Sequence, residues 1–382
     1  MSFQLSSEQE AIRDVVREFG ENEIRPVARE HDESREYPHD LVEEAAQYDL
    51  VAPTISEEYG GAGMDLLTSA VVTEELWRAD PGIGSAIGSR GFGTTMIQEF
   101  GDEWMKAEWL PKVAAGDAAT CSCISEPAHG SDVAGIETRA ELDEEAGEWV
   151  LNGDKMWITN GTIADVAVVM AKTSPGERHR GITAFLVEAD REGFEPTKID
   201  NKLGIRASDL AEIRLDDVRV PEDNVIGAVD QGFYQLMAFF AGGRTSVAAQ
   251  AVGAAQGALD AAVEYAEERE QGGQAIKEYQ AISHKVAEMA TNVEAARSLT
   301  YRAASVVDDD GNDQLAAKFA SMAKLFASER AVEVADEGIQ VHGGAGFVTD
   351  HPAERFYRDA RITKIYEGTS EIQKNIISDQ VL

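Results

Sequence analysis

Residues 148–161 read EWVLNGDKMWITNG, and the period of this stretch decides the fold. Apolar and polar side chains alternate along it, as on a strand with one buried face. Two Asn-Gly pairs, Asn152-Gly153 and Asn160-Gly161, bracket DKMWIT. Asn-Gly tolerates the backbone of tight hairpin turns, so both pairs predict turns between short strands. VAVVMAKT from Val166, GITAFLVEA from Gly181 and AEIRLDDVRVP from Ala211 continue the pattern. A β region is therefore expected over residues 118–228.

Outward on both sides the period becomes helical. In residues 1–117, Ile12, Val15, Val16, Phe19 and Ile24 share a helix face, with Ser6 or Ser7 as the N-cap. A second helix follows Pro38, a glycine-rich loop follows at EEYGGAGMD, and more helices run to WMKAEWLPKVAAGD. In residues 229–382 long helices return. The run from Gly232, GFYQLMAFFAGGRTSVAAQ and onward, is apolar or small almost all round, which places it inside a bundle. Short links between the long helices predict antiparallel packing. The chain reads as an α+β multidomain protein with three parts, at 1–117, 118–228 and 229–382. No strand–helix alternation suggests a doubly wound sheet.

The net charge is −36, from 70 acidic and 34 basic residues. Nucleic acid and anionic membranes require basic patches, so neither is expected as a partner. The acids are spread along the whole chain, including EYAEERE and VVDDDGNDQ, which fits a halophilic surface whose self-repulsion salt screens. No apolar run approaches the roughly 20 residues of a membrane span. MSFQLSSEQEAIRDVV lacks the features of a signal peptide, so a cytoplasmic location is expected. Cys121 and Cys123 fall on one face of a strand and should simply pack. No histidine pair shows metal-ligand spacing.

Three glycine motifs bear on nucleotide binding. GIGSAIG, residues 82–88, lacks the preceding strand that a dinucleotide fingerprint requires. HGGAGF, residues 342–347, reads as a helix C-cap and tight turn, or as bare backbone for a cofactor. SEPAHGSD, residues 125–132, opens from the end of a strand and offers hydroxyls and free N–H groups, or is a simple turn. Near the C-terminus, KIYEGTSEIQ holds Glu367 and Glu371. Ser370 and Gln373 match an S-x-x-Q capping box there. Spacing alone assigns both glutamates to that helix start.

Taken together, the motifs resemble the acyl-CoA dehydrogenase family over essentially the whole chain. They are EYPHDLVEEAAQYDLVAPTISEEYGGAGMD, CISEPAHGSDVAGIETRA, KMWITNG, LGIRASDLAEIRLDDVRVPEDNVIG, IQVHGGAGF and RDARITKIYEGTSEIQ, in order. The resemblance implies an N-terminal α domain, a middle β-barrel or sandwich and a C-terminal four-helix bundle. It implies a homotetramer with one FAD per subunit, an acyl-CoA substrate oxidised to the trans-2-enoyl-CoA, and an electron-transferring flavoprotein as electron acceptor. Cys123, Ile124, Ser125 and Ser131 would line the flavin, with Ser131 also near the acyl-CoA. Trp157 and Thr159 would meet the ring from the other side, with Thr369 and Glu371 adding FAD contacts. From a neighbouring subunit, Arg269 would reach the pyrophosphate, and Gln340, Gly343 and Gly344 the adenine end.

The chemistry needs a base for the weakly acidic α-proton, donors at the thioester oxygen and a hydride acceptor. By resemblance Glu367 is the base, Gly368 lets the thioester approach the backbone, and the flavin N5 accepts the hydride. Some members place the base on the long helix before an arginine. Here Gly243 precedes Arg244, so that base is absent. Arg244 interrupts an apolar run and is expected to need a carboxylate or carbonyl partner, with Glu367 a candidate. Three departures stand out: Gly272 for an aromatic, Leu210 for a threonine, and Arg90 near the acyl pocket. Gly84 occupies the place of a carboxylate-binding arginine, so Arg90 is expected to be a solvated loop residue. An oxidase on the same fold and a non-catalytic flavin-binding protein are the alternative readings.

Overall fold

The computed structural model describes residues 5–309 and 313–382. Residues 310–312 of the acidic run VVDDDGNDQ lie outside that range.

The N-terminal part is helical: α1 (Ser7–Phe19), α2 (Ala28–Ser34), α3 (His39–Ala46), α4 (Leu66–Ala79), α5 (Pro81–Gly88), α6 (Thr94–Phe100) and α7 (Glu103–Ala114). Ser6 caps α1 in a full capping box with Gln9. Asp80 caps α5 through the Ile83 N–H at 3.0 Å, with Pro81 at the first turn. GIGSAIG is thus a buried helix and no nucleotide loop.

The middle part is one seven-stranded sheet made of β1 (Thr120–Cys123), β2 (Arg139–Asp143), β3 (Glu148–Thr159), β4 (Val166–Lys172), β5 (Ile182–Glu188), β6 (Phe194–Lys198) and β7 (Leu210–Pro221). β1 runs parallel to β4, β5 pairs antiparallel with β4, and β2-β3-β7-β6 is an antiparallel series. Both faces of β4 are buried. Val166, Val168 and Met170 join the core under the N-terminal helices, while Ala167, Val169 and Ala171 join the second core with Cys121 and Cys123. The two cysteines are free and pack side by side, as their alternation on β1 predicts.

One expectation fails here. Neither Asn-Gly pair makes a hairpin, although Asn160-Gly161 does open the turn that leads from β3 towards β4. β3 runs unbroken through Asn152-Gly153, with a register shift against β7 between Leu151 and Gly153. The Asn152 side chain is held by Asp217 of β7, through its amide nitrogen to the carboxylate and its oxygen to the Asp217 N–H, both at 2.9 Å. Asn-Gly suits the open backbone of a β-bulge as well as that of a turn, and partners on β7 decided for the bulge. Asn160 instead ends β3, buried, with its amide donating to the carbonyls of Ser89 and Thr120.

The C-terminal part is a helical bundle built on α8 (Gly232–Glu268), α9 (Gln280–Val307) and α10 (Asp313–His342). A small hairpin, β8 (Glu270–Gln271) and β9 (Gln274–Ala275), joins α8 to α9. α11 (Ala353–Ala360) and α12 (Ser370–Val381) pack back on α10. Alanines line the bundle core, including Ala248, Ala251, Ala255, Ala327 and Ala331, so the long helices approach closely. At 37 residues α8 is about 55 Å long. Its first turns touch the sheet and its far end carries the β8–β9 hairpin. No helix among the described residues is long and apolar enough to cross a membrane.

Candidate active site

A short helical turn at Arg361–Lys364 delivers the chain to Tyr366 and Glu367. Glu367 and Gly368 then adopt successive left-handed conformations, with φ of +51° and +90°. A glutamate in that region costs about 1–3 kcal/mol, so its surroundings must impose it. They do so through carbonyls. The Gln373 amide donates to Glu367 O at 3.1 Å and Gly368 O at 2.8 Å. Lys324 of α10 donates to Gly368 O at 2.6 Å. Tyr366 is tied to α8 by its hydroxyl, which donates to Gln250 Oε1.

This corrects the capping box expected at Ser370 and Gln373. The N-cap of α12 is Thr369, whose Oγ1 accepts from the Ile372 N–H at 3.5 Å. Ser370 instead donates to Glu329 at 3.1 Å, and Gln373 braces the turn. Glu371 is exposed on the first turn, its carboxyl held low by helix-start hydrogen bonds.

The two glutamates therefore differ sharply. Glu367 Oε2 is buried and has no hydrogen-bond partner. Burial pushes its carboxyl up to about 7, against the pull of Arg244 and Lys324. Gly243 of α8 faces it: a Cβ there would lie 2.9 Å from Oε2. A side chain at 243 would thus share the volume of the Glu367 carboxylate. Arg244 differs from expectation. Its guanidinium Nε is buried and unpartnered among the described residues. It lies over the Phe240 ring at 5.2 Å instead. Its link to Glu367 is electrostatic. A carboxylate with an idle buried oxygen, beside an arginine with an idle buried nitrogen, suits a proton acceptor in a closed cleft.

The second cluster belongs to the sheet. Trp157 sits at φ +64°, inside the register shift between Lys155 and Ile158. The bulge turns its indole outward, and the residue is 61% exposed. Lys155, two residues before, points the other way and is fully buried. Its Nζ donates to Glu126 Oε1 at 2.9 Å and Ile124 O at 3.2 Å. Glu126 also accepts from the N–H groups of Glu137 and Thr138 at 2.6 and 2.9 Å. Burial raises its carboxyl, but Lys155 and these donors outweigh that and hold it low. The pair ties SEPAHGSD to β3, and Met156 N–H adds a bond to Ser125 O at 2.9 Å. Cys123 is fully buried, its side chain in the core and its backbone paired opposite Val169 of β4, so against expectation it presents no exposed surface to a ligand in this chain. Ile124 is buried, Ser125 and Thr159 are half-buried, and Ser131 is exposed.

The third group is elsewhere. Arg269 ends α8, exposed, beside the β8–β9 hairpin. Gln340, Gly343 and Gly344 are exposed at the end of α10, and nothing lies within 4 Å of a Cβ added at either glycine. Stacking of Tyr265 on His342 at 4.4 Å puts these two helix ends together. Gly243 lies 26 residues earlier on α8, about 39 Å away. One chain does not bring this group to Glu367. Arg90 is not a solvated loop residue: it donates to Gly116 O at 3.3 Å and lies over Tyr37. A Cβ at Gly84 would meet the Leu76 backbone at 2.8 Å, so only glycine fits there.

Three family models cover the chain: acyl-CoA dehydrogenase N-terminal domain over residues 6–117, middle domain over 121–218 and C-terminal domain over 230–382. The chain belongs to the acyl-CoA dehydrogenase family. It is 40% identical to an acyl-CoA dehydrogenase of Bacillus subtilis, over 99% of both chains. It is 40% identical to the short-chain specific acyl-CoA dehydrogenase of Rattus norvegicus mitochondria, over 100% of this chain and 92% of that one. Butyryl-CoA dehydrogenase of Megasphaera elsdenii shares the fold with a TM-score of 0.95 at 35% identity, each chain fully covered. Membership makes the chain an FAD-dependent oxidoreductase acting on acyl-CoA. The residues fit such a group. An exposed indole on a rigid bulge suits a flat ring, and bare glycines beside an arginine suit a dinucleotide's polar end.

Glu126, Lys155 and Lys324 carried no recognisable motif in the sequence. A lone lysine inside the small-residue run ASMAKLFAS, residues 320–328, was the one available signal for the last.

Proposed function

We propose that the protein oxidises short acyl-CoA thioesters to trans-2-enoyl-CoA, with Glu367 removing the α-proton. The unpartnered, buried Oε2 of Glu367 carries this reading. A base with a carboxyl near 7 is ionised over much of the neutral range, yet basic enough to take a proton from an activated carbon. The Glu367 N–H donates no backbone hydrogen bond among the described residues, so it is available to the thioester oxygen as charge develops. Arg244 balances the carboxylate without bonding it, which leaves Oε2 open to the substrate. Gly243 keeps the volume above the carboxylate clear.

FAD, which Ile124, Ser125, Ser131, Trp157, Thr159, Thr369 and Glu371 would hold, would supply the hydride acceptor. Arg269, Gln340, Gly343 and Gly344 would serve the FAD of a neighbouring subunit, which accords with a homotetramer. Their distance from Glu367 along α8 supports that division. Ser131, Arg244 and Gly368 contact the acyl-CoA. Electrons pass on to an electron-transferring flavoprotein. The domains divide at 1–117, 118–228 and 229–382, and the protein works in the cytoplasm of a salt-adapted cell.

The test is a panel of acyl-CoA chain lengths in high salt with an artificial electron acceptor. Turnover should peak on short chains, and Glu367→Gln should retain bound FAD with turnover almost abolished. Full turnover in that variant would overturn the assignment.

A further inference from the structure

Lys324 is a charged side chain the chemistry above does not use. It sits in the middle of α10, fully buried among the alanines of the bundle. No carboxylate lies within ion-pair distance of its Nζ among the described residues. A buried ammonium without a counter-ion is unfavourable, so its retention calls for a reason. Among the described residues its one hydrogen bond is to Gly368 O, at 2.6 Å, on the residue after Glu367. That carbonyl also accepts from Gln373, so two donors from two helices hold a single peptide unit. The unit is where the backbone is left-handed twice in succession.

We infer that Lys324 is a positioning residue for the proton-transfer step. Its ammonium clamps the Gly368 carbonyl, so that the Glu367 N–H and carboxylate face one cleft, and its charge favours the ionised form of Glu367 there. The inference rests on Glu367 being the base. The charged and titratable groups around that carboxylate are few. They are Arg244 from α8, Lys324 from α10 and Tyr366 from the turn itself. Glu371 of α12 acts on Lys324, and Glu329 is occupied by Lys364 and Ser370. Burial drives the Lys324 ammonium down to about 8, and Glu367 and Glu371 oppose that against Arg244. The same proximity works in reverse on Glu367, where Lys324 lowers the carboxyl that burial raises.

Two variants separate the clamp from the charge. Lys324→Gln keeps a donor for Gly368 O without the charge, and Lys324→Met removes both. Each is purified with FAD, and the flavin spectrum and thermal melt are recorded to establish folding. The pH profile of kcat/KM is then measured with a short acyl-CoA and an artificial acceptor. Loss of a nearby positive charge raises the pKa of a carboxyl, so the acid limb should move to higher pH in both variants, by about half to one unit. At the plateau, kcat should fall further in Lys324→Met than in Lys324→Gln, because only the former loses the clamp. An acid limb unmoved in folded, yellow variants overturns the inference, as does failure of both variants to fold, which would confine Lys324 to the core. Glu367→Gln, assayed alongside, tests the underlying reading: activity in that variant removes the base itself, whereas an inactive Glu367→Gln with unmoved Lys324 profiles removes only the role of Lys324.

Discussion

Gly243→Ala should separate stability from catalysis in this protein. The added Cβ would stand 2.9 Å from Glu367 Oε2 and 3.6 Å from Cδ, where ordinary contact begins at 3.4 Å. The carboxylate is the flexible partner, so it must retreat by about half an ångström. A misplacement of about 1 Å in a reacting group costs roughly 100-fold, so half that distance predicts a loss of about tenfold in kcat. The helix responds in the opposite sense. Alanine in a helix interior is about 0.5–1 kcal/mol more favourable than glycine. The thermal midpoint should therefore hold or rise while kcat falls. Gly242→Ala is the control, because nothing lies within 4 Å of a Cβ there. It gains the same helical preference without touching Glu367. The assay is steady-state reduction of an artificial acceptor by FAD-saturated protein, beside a thermal melt. A Gly243→Ala variant within twofold of wild type in kcat, or an equal loss in Gly242→Ala, would refute the placement of the base against α8.

Three further perturbations follow from the same contacts. Burial raises the folded pKa of Glu367 from 4.5 to about 7, so its favourable contribution is complete below pH 4.5 and lost as pH rises through 7. Glu367→Gln should thus be more stable than wild type at pH 8, by up to about 3 kcal/mol, with the gap closing near pH 4.5 in urea titrations; equal stability at both pH values contradicts the desolvated carboxyl. Lys155→Met strands the buried Glu126 carboxylate and should lower unfolding free energy by about 3–5 kcal/mol, with weakened FAD retention as the loop loosens; an unchanged denaturation midpoint contradicts the tie. With a net charge of −36, dilution from about 1 M to 0.1 M salt lengthens screening from about 3 to 10 Å, and the thermal midpoint should drop; a rise on desalting contradicts the salt adaptation.

The order of helices, sheet and bundle was legible because each period persists over many residues. The tandem bury-both-faces pattern of β4 and the all-round apolar α8 leave little choice of neighbour. Local motifs were less secure guides. Asn152-Gly153 carries a turn signature, yet Asp217 on β7 holds it in a continuous strand. Ser370 and Gln373 spell a capping box, yet Glu329 claims the serine and the turn claims the glutamine. In both cases a distant partner outbid a local rule. Lys155 and Lys324 failed to show for the same reason: their acceptors lie 29 and 44 residues away in sequence. Glu367 stood out from Glu371 only through the surrounding motifs. The structure supplies the physical difference, a buried unpartnered oxygen against an exposed, capped one.

The central claim is that Glu367 takes the substrate's α-proton. Its most direct test is a single anaerobic mixing of wild-type and Glu367→Gln protein, both carrying FAD, with a short acyl-CoA, followed by flavin absorbance. Wild type should bleach promptly, and Glu367→Gln should bind the thioester yet keep its oxidised flavin spectrum. Bleaching of Glu367→Gln at a rate close to wild type would contradict the account.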